Sequence, residues 1–201
     1  MNTIAIPAQV RSGLGKKASA DTRRAELVPA VIYGNVDPLH IAVNPKDIKN
    51  LVYTSDFKIA EVSLEGKTYK CILKDLQFHP VSDQIIHMDF LNLSPGVKVN
   101  VEIPIRFKGE SPGVKLGGKL VQTMRKLKVK TTPEYIVDEL LVDISPLGLG
   151  DVLRVRDIEL GEGMEIMVNT AIPIANIEIP RALKAAAAAE AKAAAGGKKK
   201  K

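Results

Sequence analysis

Hydrophobic and polar positions alternate from the start of the chain. Ile4, Ile6, Ala8 and Val10 are separated by polar or small residues, the period-two pattern of a half-buried strand. The runs VPAVIYG at 28–34 and PLHIAVN at 38–44 read as two more strands on either side of a turn at Gly34-Asn35. KIAEVSLEGKTYKCILKDLQ at 58–77 reads as a strand pair joined at Glu65-Gly66, and QIIHMDFLNL at 84–93 as a further strand. One helix is predicted in this half. Asn44 can cap it, Pro45 suits its first position, Asp47 favours its N-terminal turn, and it runs to about Val52.

The pattern continues beyond the turn-forming Ser94-Pro95-Gly96, which marks a boundary. VEIPIRF at 101–107, KLVQTMRKLKVKT at 119–131 (with a bend), 138–144, MEIMVN at 164–169 and IPIANIEIP at 172–180 read as strands. Helical turns are expected near 134–137 and 152–158. From Ala182 the chain becomes ALKAAAAAEAKAAAGGKKKK. Alanine favours helix, but the segment has no apolar face to dock, so it is expected to be a partly helical or flexible arm. The organisation predicted is thus 1–93, 94–181 and a tail at 182–201. Many short strands at close spacing point to a mainly β protein.

Composition narrows the function classes. Aromatic residues are 4% and Trp is absent, so the core must be aliphatic. A single cysteine, Cys71, excludes an internal disulfide and a multi-cysteine zinc site, and fits a reducing compartment. His40 and His79 stand apart without ligand spacing, so no metal and no cofactor is expected. There is no signal-peptide pattern and no apolar run of the roughly 18 residues a membrane span needs, so a cytoplasmic protein is expected. The net charge of +6 is mostly a tail property. Six Lys and one Glu in 182–201 give +5, leaving 23 basic and 22 acidic residues, or +1, in 1–181. Any nucleic-acid site in the body must therefore rest on local clustering.

Two clusters stand out. RSGLGKKASADTRR at 11–24 holds Arg11, Lys16, Lys17, Arg23 and Arg24 against Asp21 alone. With Gly13, Gly15 and the hydroxyls of Ser12, Ser19 and Thr22, it reads as a flexible glycine loop suited to phosphates, or as a solvated basic loop. In IIHMDF, Ile86, Met88 and Phe90 share one strand face and His87 and Asp89 the other. That pair could act as acid–base partners, bond to base edges or riboses, or be an ordinary polar face. Residues 113–119, GVKLGGK, nearly match a phosphate loop, but Leu120 stands where a hydroxyl is needed and no strand precedes, so a flexible loop is expected instead. Lys115, Lys119, Arg125, Lys126, Lys128 and Lys130 form a stretch without acids, whereas 134–165 holds nine acids. Either the basic stretch touches RNA and the acidic segment faces solvent or a protein, or the two pair with each other.

Arg11…Gly15-Lys16 and Pro29-Ala30-Val31-Ile32-Tyr33-Gly34 resemble the N-terminal signature of the bacterial 5S-rRNA-binding ribosomal proteins, the Ctc general stress protein family. Asp75, Gln77, His79-Pro80 and His87-Met88-Asp89-Phe90 resemble its second signature, and KGESPGVKLGG resembles its longer two-domain form. The resemblance implies a six-stranded N-terminal β-barrel with short helices, a second β-rich domain, and no catalytic role. It also implies a structural constituent of the large ribosomal subunit, ribosome-associated and supporting translation. Its partners would be 5S rRNA in the central protuberance and other large-subunit components, with no membrane and no small-molecule substrate. RNA contacts would come from Arg11, Lys16, Ser19, Arg23, Tyr33, Gln77, His87 and Asp89. Ala20-Asp21-Thr22 replaces a basic pair followed by leucine, and Lys17 or Arg24 would compensate. Phe78 stands where relatives often carry a basic residue. The alternatives are a stress-linked protein-interaction module and an acid–base enzyme using His87 and Asp89.

Overall fold

The computed structural model describes residues 2–161 and 163–181. The tail expected at 182–201 lies outside the described residues. The described residues form two compact units, one of 2–104 with 128–139, 161 and 163–165, the other of 105–127, 140–160 and 166–181.

In the first unit six strands close into a barrel: β1 (Thr3–Val10), β2 (Val28–Tyr33), β3 (Leu39–Val43), β4 (Ile59–Leu64), β5 (Lys67–Phe78) and β6 (Ile85–Asn92), in the order β1-β3-β2-β6-β5-β4. β1 pairs antiparallel with β3 and parallel with β4, so the ring has no open edge to recruit another strand. The period-two pattern explains the core. Ile6, Ala30, Ile32, Ile41, Val43, Ala60, Val62, Met88 and Phe90 point inward and are buried. Full burial of each large one contributes roughly 1.5–3 kcal/mol. Cys71 joins this core, and burial pushes its thiol up to about 12. Val10 departs from the expected half-buried pattern: it is 52% exposed at the end of β1, beyond the barrel interior.

The β4–β5 turn at Glu65-Gly66 takes positive φ at both residues (48° and 82°), the two-residue hairpin geometry that matches strand twist. The predicted helix is α2 (Pro45–Val52), capped by Asn44, whose side chain accepts from the Lys46 N–H at 3.0 Å. It buries Ile48 and Leu51, one turn apart, in the barrel core. A second helix, α1 (Lys16–Arg24), fits the short helices that the resemblance implies, but the residue pattern did not place it here. The glycine-rich basic segment is a loop only as far as Gly15.

Beyond the barrel are β7 (Val99–Lys108), β8 (Lys119–Gln122), β9 (Lys126–Thr131), β10 (Leu140–Asp143), β11 (Val152–Arg154), β12 (Met164–Ile166) and β13 (Pro173–Glu178). They form a sheet ordered β10-β7-β9-β12 and another ordered β11-β13-β8. The expected bend separates β8 from β9. The helical turns are 3-10 turns at Pro133–Tyr135 and Val155–Asp157, the latter preceded by strand where helix was expected. The segment 113–119 is not a flexible loop. Its first half is a four-residue helix, α3 (Pro112–Lys115), capped by the buried Ser111, which accepts from the Gly113 N–H at 3.1 Å and donates to the Leu147 carbonyl at 2.6 Å. Gly113 is there for packing: a Cβ would sit 2.6 Å from the Gly148 backbone.

Candidate nucleic-acid interface

On β6, Met88 and Phe90 face the core, so alternation turns His87 and Asp89 to the outer wall of the barrel. There they meet each other. His87 Nδ1 lies 2.8 Å from Asp89 Oδ1, and each side chain keeps about a third of its surface exposed. That contact holds the ring hydrogen on Nδ1 and leaves Nε2 directed away from the carboxylate.

The neighbouring strands add groups to the same wall. On β5, Gln77 pairs with His87 and Asp75 with Asp89. On β2, Val31 pairs with Asp89, and Tyr33 lies two residues further along. Opposed residues of adjacent strands project to the same side. The Tyr33 phenol is held above its ordinary value, first by burial and then by the Asp89 and Asp75 carboxylates, so it stays a neutral donor beside two acceptors. Asp75 was not among the expected site residues. It lies two residues before Gln77 on the same strand face, and that spacing is the signal that finds it.

α1 carries the cations. Gly15, at φ 91°, starts it without a side-chain cap, and Arg23 and Arg24 occupy its last turn, where cations suit the helix dipole. Lys16 and Lys17 sit exposed on the first turn, where the same dipole disfavours positive charge. They are therefore not there for helix stability. Arg23 Nη1 reaches the carbonyl of Ile86 in a long 3.4 Å bond, which puts its guanidinium beside His87. Arg11 Nη2 donates to Ser19 Oγ at 3.1 Å and to the Gly13 carbonyl at 3.4 Å. Arg24 is bound by Asp21 at 2.9 Å, so the acid in the unusual Ala20-Asp21-Thr22 segment draws on one of the two cations expected to compensate for it. The structure thus gathers Arg23, Tyr33, Gln77, His87 and Asp89, ties Arg11 to Ser19, and holds Lys16 and Lys17 at the opposite end of α1 from Arg23.

His79, in the second signature, has a local task. Its Nδ1 accepts from the N–H groups of Val81 (3.3 Å) and Ser82 (3.2 Å), closing the β5–β6 connection. The basic stretch from 115 to 130 is partly neutralised by nearby acids: Lys115 pairs with Glu110 at 2.9 Å and Lys128 with Glu102 at 3.5 Å. Glu165 is held below the usual carboxylate range by its hydrogen bond from Lys98, then by the charges of Lys98 and Lys130. Glu110 and Glu102 both lie outside the acidic segment 134–165, and the attraction of Lys130 for Glu165 links that segment to the basic stretch. Among the described residues, no group of three or more His, Cys, Asp and Glu could hold a metal ion, and no helix is long and apolar enough to cross a membrane.

Residues 6–90 match the family described as the Ribosomal L25p family, and residues 98–181 match that described as Ribosomal protein TL5, C-terminal domain. A large ribosomal subunit protein bL25 of Cytophaga hutchinsonii is 40% identical over 191 residues, covering 94% of this chain and 99% of the relative. The protein of that name from Phocaeicola vulgatus is 37% identical over 195 residues (94% and 98% covered), and that from Amoebophilus asiaticus 40% over 188 (94% and 95%).

Proposed function

The chain belongs to the Ribosomal L25p family, and from that premise we propose that this structural constituent of the large ribosomal subunit binds 5S rRNA in the central protuberance through the outer wall of β2, β5 and β6 together with α1. Its relatives are ribosomal proteins, structural rather than catalytic. In this reading it is cytoplasmic and ribosome-associated, other large-subunit components are among its partners, and its barrel is the RNA-binding part.

The observation that carries the reading is the His87–Asp89 pair, set between Gln77 and Tyr33 with Arg23 alongside. Cations alone would suit any phosphate. An aspartate is repelled by phosphate and must meet a donor, such as a 2′-hydroxyl or an exocyclic amine. The wall therefore combines groups that position an RNA backbone (Arg11, Lys16, Lys17, Arg23 and, less freely, Arg24) with groups that read it (Tyr33, Gln77, His87, Asp89). Ser19 acts through Arg11, whose guanidinium it holds.

Sucrose-gradient fractionation of cells expressing tagged chain tests the assignment. The wild-type chain is expected with free large subunits and whole ribosomes, and the His87→Ala/Asp89→Ala variant at the top of the gradient. A wild-type chain that stays at the top contradicts it.

A further inference from the structure

The polar wall of the barrel extends past β2. Val31 pairs with Asp89 of β6 on one side and with His40 of β3 on the other. Leu39 and Ile41, which flank His40, pack on the core, so alternation turns His40 outward, as Asp89 is turned. At roughly 5 Å per strand, His40 stands on the order of 10 Å from Asp89, with Val31 as an apolar floor between them. On its far side, Val10 pairs with Ile41, and the Arg11 N–H donates to the His40 carbonyl at 2.9 Å. Arg11 is thus the next residue in the same cross-strand row.

The three histidines differ in one respect. The His87 ring is engaged by Asp89 and the His79 ring by its own turn. The His40 ring is half-buried and, among the described residues, has no hydrogen bond or ion pair. The imidazole places an N–H donor next in the row to Arg11, whose guanidinium is held by Ser19.

We propose that His40 is a further RNA-contacting residue, which with Arg11 holds a backbone phosphate of the strand flanking the nucleotides met by His87 and Asp89. This rests on the RNA-binding reading above. The wide, shallow minor groove of A-form RNA, edged by its phosphates, fits a row that runs polar, apolar, polar across three strands.

The test measures 5S rRNA affinity of the full chain carrying His40→Ala, His40→Gln or His87→Ala, with thermal melting of each. His40→Ala should weaken binding about threefold to tenfold, the worth of one hydrogen bond, with the melting temperature unchanged. His40→Gln keeps a donor at similar reach and should recover most of the loss. If His87→Ala weakens binding and His40→Ala does not, His40 is no contact and the RNA-binding reading stands. If neither weakens it, the reading itself fails. A loss with His40→Ala that follows a lowered melting temperature and is not recovered by Gln assigns the effect to folding and overturns the proposal.

Discussion

His87 and Asp89, two residues apart on β6, are joined by a 2.8 Å contact between Nδ1 and Oδ1 on the outside of the barrel. The contact has a consequence for mutagenesis. Asp89 both offers an acceptor and fixes the His87 ring. Asp89→Ala should therefore cost roughly 1–3 kcal/mol of 5S rRNA affinity, the range for losing a charged hydrogen bond, with the salt dependence nearly unchanged. Combined with His87→Ala, the two losses should sum to more than the double variant loses, because one group orients the other. Tighter binding by Asp89→Ala would mean that Asp89 is only a nearby repulsive charge.

The cations of α1 should behave differently. Lys16 is exposed on the first turn, and Lys16→Ala should lower the salt slope of RNA binding by about one or slightly less. Asp21 occupies Arg24 at 2.9 Å, so Asp21→Ala should tighten binding and steepen the slope. Affinities measured across a salt series check both, and a weaker Asp21→Ala variant would contradict this role for Arg24.

Ser19 Oγ accepts from Arg11 Nη2 at 3.1 Å, and in the proposed reading it acts through that arginine. Ser19→Ala should weaken RNA binding less than Arg11→Ala does. In the Arg11→Ala background the serine substitution should add nothing further. An independent loss there would place Ser19 on the RNA itself.

Tyr33 supplies a pH-dependent signature. Burial first, and then the Asp89 and Asp75 carboxylates, hold its phenol above the ordinary tyrosine range. In spectrophotometric titration, one phenolate component is expected above that range, to be removed by Tyr33→Phe and lowered by Asp89→Asn. Because the native value is raised above the unfolded one, the neutral phenol stabilises the fold. The contribution is full below the unfolded value and is lost as pH rises through the native one. A Tyr33 component in the ordinary range would separate the phenol from the carboxylates.

How far the sequence shows this site depends on whether the controlling interaction is local. The split of β6 into Met88 and Phe90 inside and His87 and Asp89 outside follows from alternation alone, as do the Asn44 cap and the Glu65-Gly66 turn. α1 escaped because it buries no residue and so has no apolar stripe to detect. Its helix-forming Lys, Ala and Arg residues, with arginines in the last turn, were the remaining signal. The approach of Tyr33 to Asp89 depends on a parallel pairing of β2 with β6, strands separated by much of the domain, and no local pattern encodes that register. The task of His79 within the second signature, closing a turn, is not legible in the sequence, since its two bonds run to N–H groups that carry no side-chain signal.

The most direct test of the central claim is equilibrium binding of the full chain to 5S rRNA with tRNA as competitor, for the wild-type chain and for His87→Ala/Asp89→Ala. Electrostatic attraction by Arg11, Lys16, Lys17 and Arg23 should serve both RNAs, whereas the reading groups on β6 should serve only one. The wild-type chain should prefer 5S rRNA, and the double variant should lose that preference while keeping its salt-dependent attraction to both. Equal wild-type affinity for 5S rRNA and tRNA would contradict the account.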